Sequence, residues 1–218
     1  MLGLLSILAS VWLVYLRPGD TYFFLPFTME KVVLTGIWQF FYFLILIPFL
    51  FYMSNSVNIT DGLDGLLAGL MAIACIFLTI VARIMVMAHL VQYQSQFLPI
   101  LIVAGCLGFL FFNRHPARIF MGDTGSQSLG IGFTLICVVM GTPYLAFIIG
   151  FVFFFEGLSV VMQRFYYRRT GGKRIFRMAP LHHHFELGGW TEQKVTNVFY
   201  LAGIVSGILG ILFIYGAI

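Results

Sequence analysis

Seven long apolar runs, separated by short polar segments, constrain what this chain can fold into. A helix that spans a bilayer needs about 20 mostly apolar residues. Of the 218 residues, 61% are hydrophobic and 9% are charged, whereas a soluble domain carries about 25% charged residues. The sequence therefore predicts an all-α, polytopic transmembrane helix bundle that forms one integral membrane domain over residues 1–218. The predicted spans are residues 1–16, 36–54, 63–88, 97–112, 128–140, 144–163 and 198–215.

The fifth predicted span, residues 128–140, is short for a bilayer crossing. The breaker Gly141-Thr142-Pro143 separates it from the next run, so the two runs form either two spans or one broken helix. The choice matters, because a single broken span would move the segment 164–197 to the other side of the membrane. The Phe-rich segment 17–35 is expected to form a small hairpin on the membrane surface.

The basic residues predict which ends of the helices face the cytoplasm. With seven spans, nine of the 12 Lys and Arg residues fall on the side that holds residues 55–64, 113–127 and 164–197. Because Lys and Arg are enriched on the cytoplasmic side, these three segments are predicted to be cytoplasmic. The formal net charge of +4 is not a nucleic-acid signal, since the basic residues lie in short loops between apolar runs.

The segment 55–65 carries two amides and two carboxylates between two apolar runs. Asn55 and Asn58 are predicted to share a face at the end of one helix, and Asp61 and Asp64 repeat that spacing at the start of the next. Asp61 could simply cap a helix, since Asp is a common N-cap and turn residue. Two Asp and two Asn beside a membrane favour a polar ligand pocket over that interpretation.

Asp123 lies in the Gly-rich segment 120–127, directly before an apolar run. It could serve as a helix N-cap. It could equally bind Mg²⁺, which favours one or two carboxylates together with substrate phosphates and water. The local sequence leaves these two interpretations open.

Three consecutive histidines, His182, His183 and His184, form the third polar cluster. No Cys or HExxH spacing supports a zinc site, whereas imidazoles could donate hydrogen bonds to phosphate or act as acid or base. Glu156 lies in the middle of a predicted span, where a carboxylate indicates either a functional site or a structural hydrogen bond to another helix. Gln163 lies further along this span and could line the same cleft.

Three segments of the sequence resemble the bacterial polyprenyl-phosphate N-acetylhexosamine-1-phosphate transferases. These segments are NSVNITDGLDGL at 55–66, NRHPARIFMGDTGS at 113–126 and RIFRMAPLHHHFELGGW at 174–190. The third segment is similar to the branch of the family that transfers phospho-N-acetylmuramoyl-pentapeptide. The likeness covers essentially the whole chain.

This resemblance implies a reaction at a bacterial plasma (inner) membrane, with the active site on the cytoplasmic side. Phospho-N-acetylmuramoyl-pentapeptide would move from UDP to undecaprenyl phosphate, giving lipid I and UMP for peptidoglycan synthesis, with Mg²⁺ as cofactor. The implied partners are UDP-N-acetylmuramoyl-pentapeptide, undecaprenyl phosphate and the lipid bilayer, with a homodimer as a candidate assembly and no nucleic acid. The alternatives are a related transferase that uses UDP-GlcNAc, or an ion-coupled transporter.

The resemblance also implies roles for individual residues. Asp123 would be the metal-linked carboxylate, and Phe120 would stack on the uracil. Asp61 would line the nucleoside and sugar-phosphate site, while His182 and His183 would contact the substrate phosphates or the amino sugar. The catalytic residues implied are Asp61, Asp123, His182 and His183. The residues assigned to substrate binding are Asn55, Asn58, Asp64, Asn113, Phe120, Gln163 and His184.

The sequence departs from the family pattern in one respect. The family carries a paired-aspartate motif on an earlier cytoplasmic loop and has about ten spans. This sequence has no Asp-Asp pair and seven apolar runs. The match begins partway through the family pattern, so the chain is expected to correspond to the C-terminal two-thirds of such a transferase.

Overall fold

The computed structural model describes residues 2–17 and 19–218, which form a bundle of α-helices with one two-stranded hairpin. The strands are β1 (Thr21–Phe24) and β2 (Lys31–Leu34). The helices are α1 (Leu2–Val11, continued by a π-helical turn, Trp12–Leu16), α2 (Ile37–Thr60), α3 (Leu66–Met87), α4 (Phe97–Asn113, preceded by a 3₁₀ turn, Tyr93–Gln96), α5 (Gly122–Val139), α6 (Leu145–Ile148), α7 (Phe151–Arg169), α8 (Leu181–Glu186) and α9 (Glu192–Tyr215).

Among the described residues, four helices are long and apolar enough to cross a membrane, namely α2, α3, α4 with its preceding turn, and α9. The protein is therefore a multi-pass membrane protein with the all-α fold that the sequence predicts. The other three predicted spans coincide with α1, with α5, and with α6 and α7 together, and their crossing of a bilayer stays a prediction. Met1, at the start of the first of them, lies outside the described residues.

The break between the fifth and sixth runs separates two helices that run in opposite directions. Helix α5 ends at Val139, and Gly141 has a φ of +75°, which favours glycine at this turn. Helix α5 begins beside the end of α2, where Asn58 contacts Asp123, and ends beside the hairpin, where Phe24 N–H donates to Gly141 O (2.7 Å). The chain then returns through α6 and α7. The two runs are thus separate elements, as the seven-run interpretation requires.

Small residues let the helices around α2 pack closely, as is typical of membrane bundles. A Cβ atom at Gly130 of α5 would lie 2.8 Å from Ser54 Cα of α2. A Cβ atom at Gly157 of α7 would overlap Ser56, also on α2. Helix α2 is therefore held between α5 and α7, and this packing fixes the position of the polar residues at its end.

Residues 21–34 form the expected hairpin, and its position on a membrane surface stays a prediction. Its strands pair antiparallel, with Thr21 opposite Leu34 and Phe24 opposite Lys31. The hairpin lies at the end of the bundle where α3 finishes and α2 begins, opposite to the end that holds the turn between α2 and α3. We call these two ends the hairpin end and the motif end.

The predicted loop boundaries are wrong at four places. Residues 55–60 are the last turns of α2, residues 122–127 are the first turns of α5, residues 164–169 belong to α7, and α9 already begins at Glu192. Asp61 and Asp64 do not start the next helix as predicted, because the turn continues through Gly65 and α3 begins at Leu66. The chain has no breaker between Ser54 and Asp61, so α2 runs on past its apolar stretch.

Candidate active site

The turn between α2 and α3, residues 61–65, lies at the centre of the motif end and contacts several other segments. Gly65 has a φ of +74°, which allows the chain to reverse there. Its N–H donates to Asn113 Oδ1 (3.2 Å), and its carbonyl accepts from the Tyr200 hydroxyl (2.6 Å). Asn113 is buried and also donates to Ile119 O (2.8 Å), so its amide joins the turn to the segment 114–121.

Asn58 links the end of α2 to the first turn of α5. Its Nδ2 donates to Asp123 Oδ1 (3.1 Å) and lies 2.7 Å from Ser126 Oγ. Asp123 is exposed at the second residue of α5, whereas the N-cap position belongs to Met121 and carries no side-chain cap. The capping interpretation of Asp123 is therefore wrong. A carboxylate in the first turn of a helix is stabilised by the helix dipole. Here the carboxylate faces outward, and the hydrogen bond from the Asn58 amide holds it in place.

Asp61 follows the last residue of α2, on the same end of the bundle as Asp123. Partial burial, together with the negative charge of Asp123, raises the pKa of the Asp61 carboxyl to about 6. Two acidic groups that repel each other at a protein surface form a region of negative potential that favours a cation.

His182 joins the third motif to this turn. It is fully buried, and both of its donors face the Glu156 carboxylate: the backbone N–H lies 3.1 Å from Oε1 and the ring Nδ1 lies 3.0 Å from Oε2. Its Nε2 has no hydrogen-bond partner among the described residues and lies against Gly62, where a Cβ atom would overlap the ring. Glu156, whose role the sequence left open, thus bonds α7 to α8.

Asp64 belongs to a second cluster, whose other members the sequence analysis missed. His115 Nδ1 lies 3.2 Å from Asp64 Oδ2 and 3.4 Å from Glu192 Oε2. Ala117 N–H donates to Asp64 Oδ2 (2.9 Å), and Asp64 N–H donates to Glu192 Oε1 (2.6 Å). The three side chains lie close enough together to hold a metal ion. The sequence signal that could have identified Glu192 is the scarcity of charged residues, since each carboxylate in so apolar a chain needs an explanation.

The sequence that forms this arrangement is similar to known proteins. The sequence profile described as glycosyl transferase family 4 matches residues 3–141. The chain belongs to this family. It is 44% identical over 187 residues to the phospho-N-acetylmuramoyl-pentapeptide-transferase of Listeria monocytogenes. The protein of that name from Acetivibrio thermocellus is 45% identical over 212 residues, and that from Desulfitobacterium hafniense is 46% identical over 166 residues.

These alignments cover most of this chain but only part of each relative. They include 86%, 96% and 73% of the chain, and 55%, 62% and 49% of the respective relatives. The chain therefore spans about half to three-fifths of the length of the curated relatives it matches. Family membership agrees with the resemblance seen in the three motifs, each of which contributes contacts to the motif end.

The remaining predicted site residues lie around this centre rather than in it. Phe120 is 77% exposed, which leaves its ring free to stack on a planar ligand. Asn55 donates to Phe51 O (3.0 Å) on its own helix and lines a groove of about 570 Å³ between α2 and α7. Asn55 and Asn58 therefore do not share a face as predicted, because Asn55 lies beside α7 and Asn58 faces α5.

Gln163 and His184 are both bonded to the backbone of the segment 170–180. Gln163 Oε1 accepts from the N–H groups of Ile175 and Phe176 (3.0 Å each), and its Nε2 donates to Phe176 O (3.0 Å). His184 Nδ1 accepts from Arg177 N–H (3.0 Å). These bonds order the segment that precedes α8. His183 differs, since its ring is 33% exposed and its Nδ1 lies 2.7 Å from Glu186 Oε2.

Proposed function

We propose that this chain transfers phospho-N-acetylmuramoyl-pentapeptide from UDP-N-acetylmuramoyl-pentapeptide to undecaprenyl phosphate. In this reaction an oxygen of the lipid phosphate attacks the phosphorus attached to the sugar, the bond to UMP breaks, and lipid I and UMP are the products. The relatives' name, phospho-N-acetylmuramoyl-pentapeptide-transferase, supports this reaction. The observation that carries it is the meeting of the three motifs around the turn at residues 61–65, where Asn58 bonds Asp123 and Gly62 lies on His182.

The proposed setting is a bacterial plasma membrane with the motif end in the cytoplasm. Nine basic residues lie on the motif side of the predicted topology, and an excess of Lys and Arg marks the cytoplasmic side. The basic end of α7, with Arg164, Arg168 and Arg169, would raise the local concentration of an anionic nucleotide. The lipid substrate would reach the same end from within the bilayer. The homodimer expected from the sequence stays a prediction, which light scattering of the purified chain would test.

Mg²⁺ fits the Asp61 and Asp123 pair better than it fits the cluster of Asp64, His115 and Glu192. Mg²⁺ prefers oxygen ligands and keeps several waters, so one or two accessible carboxylates suit it. Asp123 is exposed and Asp61 is partly so, whereas the Asp64 and Glu192 oxygens already accept from His115 and backbone N–H groups. When bound, the ion would neutralise negative charge on the pyrophosphate.

His182 and His183 would have different roles. His182 is buried between Glu156 and Gly62, so it would hold the turn at 61–65 in position. His183 is partly exposed and oriented by Glu186, so it is the imidazole that could reach a substrate phosphate. An ion-coupled transporter is less well supported, because the deep carboxylate of Glu156 is fully engaged by His182.

The test is release of UMP by the purified chain, given both substrates and Mg²⁺ in detergent or nanodiscs. We expect Asp123→Asn to lower the rate by about 100-fold or more, the usual cost of losing a group that stabilises transition-state charge. The matched control is Asp20→Asn, which removes one exposed carboxylate at the hairpin end. Binding of UMP in the presence of Mg²⁺ is measured in parallel. Equal rates for Asp123→Asn and the unmodified chain would remove Asp123 from the mechanism. Faster turnover of UDP-GlcNAc would favour the related transferase.

A further inference from the structure

A polar cavity of about 730 Å³ lies at the hairpin end, away from the site described above. Four separate parts of the chain form its walls: the end of α1, the hairpin, the connection between α3 and α4, and the end of α5 at Val139. Three basic side chains line it, from Arg17, Lys31 and His89, against one carboxylate, from Asp20. The cavity has no part in the proposed transfer reaction, since the three motifs lie at the other end of the bundle.

The two permanent cations of this cavity contact an aromatic ring and backbone carbonyls. Lys31 Nζ lies 4.4 Å and Arg17 Cζ lies 5.7 Å from the centre of the Tyr22 ring. Arg17 also donates to the carbonyl oxygens of Asp20 (3.3 Å) and Val139 (3.5 Å). Within residues 2–17 and 19–218, neither cation forms an ion pair with a carboxylate. The ring and the carbonyls hold the two positive charges in place without neutralising them.

Other groups on the cavity wall can complete the coordination of an anion. The side chains of Gln92 and Ser95 line it beside His89 and supply neutral donors. Guanidinium and ammonium groups are the usual partners of phosphate oxygens, and basic pockets at the ends of membrane helices bind lipid head groups. The donor set therefore matches a phosphate carrying one negative charge.

The level of the cavity relative to the bilayer favours a lipid phosphate over a phosphate from solution. Trp38 is 67% exposed near the start of α2, and Tyr93 is 57% exposed immediately after the lining residue Gln92. Exposed Trp and Tyr mark the head-group level of a bilayer. The cavity lies at this level, where lipid phosphates are abundant. We propose that it binds the phosphate of an anionic phospholipid, in the leaflet opposite to the motif end.

The test is competition between two lipids for the purified chain, read by native mass spectrometry. The chain is equilibrated with equal amounts of phosphatidylglycerol and phosphatidylcholine carrying the same acyl chains, and the ratio of the two bound lipids is measured. We expect the unmodified chain to favour phosphatidylglycerol. We expect Lys31→Gln and Arg17→Gln each to reduce that preference about fivefold, the factor that corresponds to roughly 1 kcal/mol for each basic residue near an anionic surface.

Two controls make the result specific to the cavity. Arg83→Gln removes the same charge from an exposed residue near the same end of α3, outside the cavity, and is expected to retain the preference. Lys31→Arg keeps the charge and is expected to retain it as well. The proposal is overturned if Arg83→Gln lowers the preference as much as Lys31→Gln does, or if neither cavity variant lowers it. Displacement of the lipid by excess inorganic phosphate would assign the cavity to a soluble anion instead.

Discussion

Removing the Glu156 carboxylate should destabilise the protein more than any other single change to a charged side chain. Glu156 and His182 are both 0% exposed, and one carboxylate accepts from the His182 backbone N–H (3.1 Å) and faces its ring Nδ1 (3.0 Å). Each buried group left without a partner costs about 1–3 kcal/mol, and removing one member of a buried pair costs about 3–5 kcal/mol in total. We expect Glu156→Ala to lower the free energy of unfolding by about 3–5 kcal/mol.

The isosteric change separates the hydrogen bonds from the packing. In Glu156→Gln the amide oxygen can still accept from the His182 N–H, while the amide nitrogen faces Nδ1, which must then accept. We expect a smaller loss, about 1–2 kcal/mol, because one contact needs the other tautomer of the ring. Glu30→Gln is the control, since Glu30 is exposed at the hairpin end and should change stability by less than about 0.5 kcal/mol.

Reversible unfolding in mixed micelles, followed by circular dichroism, would supply these free energies. The decisive measurement is a double-mutant cycle with His182→Ala. If the two side chains stabilise the fold through each other, the double variant should lose at least about 1 kcal/mol less than the sum of the single variants. Strict additivity, or a loss below about 1 kcal/mol for Glu156→Ala, would show that the contact does not hold α7 to α8.

Three further predictions concern the motif end. The pKa of Asp61 is raised to about 6, so Mg²⁺-dependent UMP binding should weaken as the pH falls through about 6. Over the same change, the stability contributed by Asp61 should increase, because this carboxyl binds a proton more tightly in the folded protein than in the unfolded chain. Calorimetric titrations at several pH values would measure the UMP binding, and unfolding experiments would measure the stability. Asp61→Asn should remove both pH dependences. Gly62→Ala should cost about 1–3 kcal/mol in unfolding experiments because its Cβ atom would overlap His182, whereas Gly105→Ala, with open space around it, should not destabilise. His115→Ala should increase proteolysis of the segment 114–121, and an unchanged cleavage rate would show that His115 does not fix that segment.

Hydropathy predicted where the helices lie, but not where α2 ends. The apolar run stops at Ser54, yet the helix continues to Thr60 because tertiary partners occupy its polar positions. Ser54 Oγ donates to Gln127 O (2.9 Å), and Asn58 bonds Asp123. These partners come from α5, distant in sequence, so no local pattern could predict them.

The composition of the candidate site was partly readable from the sequence. Asp61, Asp123 and the histidines were identified because charged and imidazole groups are rare in this chain. His115 and Glu192 were missed, since each is a single polar residue whose meaning appears only when the helices bring it to Asp64. Gln163 shows the converse, because a polar residue expected in the cleft is bonded to the backbone of the following segment.

The pairing of acids with histidines explains which carboxylates are left for a ligand. Four of the eight Asp and Glu residues contact a histidine, namely Asp64, Glu156, Glu186 and Glu192. Two more, Asp20 and Glu30, lie at the hairpin end. Within residues 2–17 and 19–218, Asp61 and Asp123 are then the motif-end carboxylates without a histidine partner. Their charges repel each other, so a bound cation would relieve this repulsion. The histidines near the site thus act mainly on its framework, and they leave the acidic pair accessible.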